Sequence, residues 1–154
     1  MKKLLKWSPA AARMVLGIVF FVFGLNGFIH FIPMPTPEGA AAVFFQGLAA
    51  SGYLLPLLSA TETVVGLLLI LGRFVPLALT VLAPVMLNIV AYHLFVETEG
   101  IGMALVLSVL QLYLAYAYRP AFRGLLEMKA APASGVHGET KHRDLMPNGV
   151  GQPS

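Results

Sequence analysis

The chain has 154 residues, of which 58% are hydrophobic and only 11% charged, against about 25% charged in a soluble domain. That imbalance places it among membrane proteins and leaves length for one compact bundle, with no sizeable soluble domain. It has no cysteine, which excludes disulfides, thiolate metal sites, iron–sulfur clusters and dithiol redox exchange. The net charge of +3 does not mark nucleic-acid binding, because the basic residues flank apolar runs instead of forming one patch.

In chain order, residues 1–8 are a basic start bearing Trp7, and the first apolar run covers about 9–30. It is longer than a signal-peptide core, and the small residues Ala10, Ala11 and Ala12 precede it, so it reads as an uncleaved first transmembrane helix. Pro9 suits the first turn of that helix, and Arg13 is near enough to the end to snorkel. Residues 31–52 form a loop, opened by Pro33, Pro35 and Pro37. Within it, 40–50 is a short interfacial or re-entrant helix, too short to span. Two further spans, 53–71 and 74–95, meet at the tight turn Gly72-Arg73. Pro56 and Pro76 sit in their first turns, and Pro84 kinks the second of them and frees a carbonyl that must find a partner. Glu97-Thr98-Glu99-Gly100 is a polar turn, and the fourth span covers 101–118, ended by Arg119-Pro120. The expected fold is all-α, a bundle of four transmembrane helices in residues 1–129. Residues 130–154 read as a disordered cytoplasmic tail carrying His137 and His142.

The loops alternate in charge. Lys2, Lys3, Lys6, Arg13, Arg73, Arg119, Arg123 and Lys129 fall on one side of the bilayer, and Glu38, Glu97 and Glu99 on the other. By the positive-inside rule both termini are cytoplasmic.

The polar residues inside the spans carry what functional signal there is. Glu62 lies roughly 14 Å along its span, near the midplane, where a charge costs about 2.5–3.5 kcal/mol on insertion scales. No Lys or Arg lies at its depth, so a protonated or hydrogen-bonded carboxyl fits better than an ion pair. It reads either as a proton-exchanging or ligand-binding acid, or as a polar staple between helices. Asn88 is close enough in depth to bond Glu62 across the hairpin, and His93 lies near the outer interface. Leu25-Asn26 and His30-Phe31 in the first span resemble Leu87-Asn88 and His93-Leu94-Phe95, which suggests two related hairpins. Convergence of Asn26, His30, Glu62, Asn88, Tyr92, His93 and Gln111 in the outer half would give a few polar groups within apolar walls. That suits a flat lipid-soluble molecule such as a quinone. The spacing fits no metal site, and no serine has the setting of a nucleophile; no residue is assigned as catalytic.

Several segments, taken in order, resemble the DoxX family of small four-helix bacterial membrane proteins. They are Ala12-Arg13-x-x-Leu16-Gly17, the run from Gly47 to Leu57, Glu62-x-x-x-Gly66-Leu67-Leu68-Leu69, Gly72-Arg73-Phe74, Asn88-x-x-x-Tyr92-His93-Leu94-Phe95 and Tyr118-Arg119. The resemblance covers about 9–126. It implies a four-helix bundle in the bacterial cytoplasmic (inner) membrane and an association with redox systems, since relatives occur as subunits of thiosulfate:quinone oxidoreductase and beside oxidative-stress proteins. Many members carry a Lys before the Phe of Asn26-Gly27-Phe28, so no basic residue is carried over there. The expectation is a redox-associated membrane subunit, not catalytic alone, that binds a quinone-like ligand or docks a redox-enzyme partner. The alternatives are an accessory structural subunit and, behind it, a small transporter. Partners are the lipid bilayer with a redox enzyme or a homo-oligomer, and no nucleic acid.

Overall fold

The computed structural model describes residues 2–125. Among them there are five α-helices and no strand: α1 Lys2–Ile29, α2 Gly39–Ala50, α3 Leu54–Leu71, α4 Val75–Phe95 and α5 Ile101–Ala117, followed by a 3-10 segment Arg119–Leu125. Three helices are long and apolar enough to cross a membrane, over Ser8–Ile29, Leu54–Leu71 and Val75–Phe95. The fourth, α5, is shorter and equally apolar; its 17 residues give about 25 Å of rise. The tail and its two histidines lie outside the described residues.

The breaks follow backbone chemistry. Gly72 ends α3 in the left-handed region at φ 68°, which glycine adopts without a Cβ penalty, and Phe74 follows at φ 53° to launch α4. Gly100 starts α5 at φ 86°. Pro76 sits at the start of α4, and α4 runs without interruption through Pro84. Pro9, by contrast, lies inside α1 and not at its first turn. The helix extends back through the basic segment to Lys2, and Pro9 removes one backbone hydrogen bond without altering the helical φ it already favours. The fourth span ends where expected: α5 stops at Ala117, and Arg119-Pro120 open a separate 3-10 segment.

The four long helices form a ring in which α1 packs on α3, α3 on α4, α4 on α5 and α5 back on α1, while α2 lies against α3. The α1–α3 interface is the most extensive, and it is built on small residues. Gly17, Gly24 and Gly27 of α1 face Gly66, Thr63 and Ser59 of α3, close enough that a Cβ on Gly24 would come within 2.6 Å of the Thr63 hydroxyl. Such close approach is how transmembrane helices gain packing energy when lipid is as apolar as the protein. Large buried side chains, Leu16, Leu69, Leu82 and Leu114, fill the middle. The outer surface carries Val15, Ile18, Leu67, Leu87, Val109 and Leu112, all exposed, as a lipid-facing wall requires.

Candidate functional site

Buried residues of α3 form one stripe, Ser59, Val65, Gly66 and Leu69. At about 100° per residue, Glu62 falls in the middle of that stripe. It is the one acidic residue within the four long helices. Yet Glu62 is only half-buried, as are Leu55 and Leu58 nearer the α2 end, whereas Val65, Gly66 and Leu69 toward the Arg73 end are fully buried. On α4 the buried positions likewise stop at Met86. Along α3 and α4 burial is therefore more complete toward the Arg73 end, while toward the α2 end Asn26, Ser59 and Ala104 stay buried beside half-buried neighbours. Among the described residues no hydrogen bond or ion pair reaches its carboxylate. Antiparallel pairing of Gly27 with Ser59 and Gly24 with Thr63 brings the bare α1 backbone at Gly24 level with it.

Aromatic rings gather at the α2 end. Tyr92 meets Phe44 at 5.2 Å and Phe45 at 5.6 Å between centroids, and His93 stacks edge-on to Tyr92 at 5.1 Å. This cluster ties α2 to α4. His93 continues the inward stripe of α4, three turns beyond Leu82, and its Nδ1 lies 3.0 Å from the Glu97 backbone carbonyl. A carbonyl only accepts, so Nδ1 carries the proton and Nε2 of the neutral ring is an acceptor. Counted from the Gly72–Phe74 turn, Glu62 is about 14 Å and His93 about 27 Å along the hairpin. About 13 Å of rise separates the two.

The remaining candidates are placed elsewhere. Asn88 is exposed and points roughly 140° away from the buried stripe of α4. The anticipated Glu62–Asn88 hydrogen bond across the hairpin is absent among the described residues, because depth matched and rotation did not. Asn26 is buried, but its amide is spent locally: Oδ1 accepts the Ile32 N–H at 2.6 Å and Nδ2 donates to the Ile32 carbonyl at 3.2 Å. His30 is exposed at φ 48° in the same turn. Gln111 is buried and donates through Nε2 to the Leu79 carbonyl at 3.1 Å, joining α5 to α4, while its Oε1 is buried without a partner. Asn26 and Asn88, matched in the suggested repeat, thus occupy opposite environments. Among the described residues no three His, Asp or Glu side chains are grouped to hold a metal ion.

The DoxX family model matches residues 8–96, which takes in α1 from Ser8 onward and α2 to α4, together with Glu62, Tyr92 and His93. The chain belongs to the DoxX family. No curated protein and no solved structure matches it. In this DoxX protein, two features went unread in the sequence. One is the glycine seam, although Gly17 and Gly24 are seven residues apart and Ser59 and Thr63 four, the small-residue spacing of close-packed membrane helices. The other is Arg13, whose guanidinium does not simply reach for the interface: it packs against Gly72, with Nε buried and unpartnered.

Proposed function

We propose that this DoxX protein is a redox-associated membrane subunit that holds a flat, quinone-like, lipid-soluble molecule beside Glu62, toward the α2 end of its bundle. It sits in the bacterial cytoplasmic membrane with both termini inside, as its loop charges direct. The reading rests on one observation: an unpaired, half-buried carboxyl at the centre of an inward helix stripe. An intramembrane acid without a protein partner is a functional candidate by default. Glu62 donates a hydrogen bond or proton to a ligand carbonyl at the deep end. At the shallow end His93 offers Nε2, and the Phe44–Phe45–Tyr92 rings form an aromatic wall. The ligand brings the redox chemistry; the chain orients it and offers a proton path.

The second reading is an accessory bundle, favoured by the way Asn26 and Gln111 are spent on backbone carbonyls and N–H groups. Mass spectrometry of small molecules co-extracted with gently purified protein separates the two. The binding reading expects a stoichiometric quinone-type molecule in wild type, retained in part by Glu62→Gln and lost in Glu62→Leu. A ligand content unchanged by Glu62→Leu, or no ligand in any sample, would overturn it.

A further inference from the structure

Asn88 raises a separate question, since an amide exposed on a membrane helix faces hydrocarbon that offers no hydrogen bond. It lies about 10 Å from the end of α4, beyond the reach of lipid headgroups. It continues a stripe with Leu77, Val81 and Pro84, at the 4-3-4 spacing of a helix–helix seam, and all four are exposed. Beside the stripe runs an apolar groove between α3 and α4, lined by Ala60, Val64, Leu68, Leu77 and Val81 among others. The backbone of this face is also incomplete, because Pro84 has no N–H to give the Thr80 carbonyl, and the Thr80 hydroxyl is already spent on the Pro76 carbonyl at 2.9 Å.

We propose that this face of α4 is where two copies of the chain meet side by side in the membrane, with Asn88 bonded to Asn88 of the second copy. The occupant follows from the chemistry. Copies inserted under one charge rule share one orientation, so a two-fold axis along the membrane normal sets every residue of α4 level with its own counterpart. A carboxamide is both donor and acceptor, and is therefore complementary to itself at that depth. Leu77 and Val81 meet their counterparts along the same seam, and side chains of each copy fill the groove of the other. Glu62 faces the opposite way, into the bundle, so this contact is independent of the ligand reading.

The absence of native cysteine makes the test direct. Single variants Val81→Cys, on the stripe, and Val109→Cys, exposed on α5, are oxidised in native membranes. The full-length Val81→Cys protein is expected to run as a disulfide-linked species of twice the chain mass, and Val109→Cys as monomer. Adding Asn88→Leu to Val81→Cys should lower the dimer association constant roughly 3- to 30-fold, the range measured for interhelical polar pairs in membranes. Because Asn88 is exposed, that change leaves the monomer fold intact, which circular dichroism checks. Equal cross-linking of the two cysteines, an adduct of Val81→Cys at any other mass, or a dimer indifferent to Asn88→Leu would overturn the proposal.

Discussion

Placing a single methyl group on Gly66 tests the seam that holds the bundle together. A Cβ at Gly66 would lie 2.7 Å from the Phe21 Cα and 2.8 Å from the Gly17 carbonyl oxygen, and closer still to the Phe21 amide nitrogen. These neighbours are backbone and cannot swing aside. Ordinary carbon contacts are about 3.5–4.0 Å, so α1 and α3 must separate by about 1 Å, and a gap of that size forfeits about a quarter to a half of each neighbouring contact. Overpacking of this kind costs about 1–3 kcal/mol, and the rigid surroundings put Gly66→Ala toward the upper end. Gly47→Ala on α2 is the matched comparison, since nothing lies within 4 Å of its Cβ position; there the change should favour the helix by about 0.5–1 kcal/mol. Gly17→Ala, whose nearest neighbours are at 3.0 Å, should fall between. Thermal unfolding of the three variants in one detergent reads the order directly. A Gly66→Ala protein as stable as Gly47→Ala would refute the close α1–α3 packing.

Removing the Asn26 amide should release the turn after α1: Asn26→Ala strips both hydrogen bonds from the half-buried Ile32 backbone, with an expected loss of about 0.5–1.5 kcal/mol per bond. Faster proteolysis within residues 30–38, compared with wild type, is the readout. At the other end, Gly72→Ala combines a left-handed backbone, costing about 1–2 kcal/mol for a residue with a Cβ, with a clash against the Arg13 guanidinium. In a double-mutant cycle with Arg13→Ala, the clash should vanish and the backbone cost remain, so the two changes should be non-additive. Additive stabilities would show that Arg13 does not pack on Gly72.

The number and order of the helices were legible in the sequence because hydropathy, proline and glycine act locally. A 22-residue apolar run must span, and the turns fall at Gly72 and Gly100, where glycine takes the left-handed region. Residue depth was legible too, since it is rise multiplied by count. Local backbone logic failed at Pro9, which α1 absorbed in its interior. Rotation about each helix axis was not legible. These spans are apolar nearly all round, so no polar face marks which side turns inward, and only packing against the neighbouring helices decides it. The glycine seam set the α1–α3 contact, and with it the stripe on which Glu62 faces the bundle. The same packing turned Asn88 outward, despite a depth that suited a bond to Glu62. Asn26 and Gln111 were drawn to nearby backbone groups, because an amide in lipid takes the first partner within reach. Sequence determined what crosses the membrane and how deep each polar group lies; tertiary structure decided which of them share a space, because direction around a helix is fixed by contacts between segments and not within them.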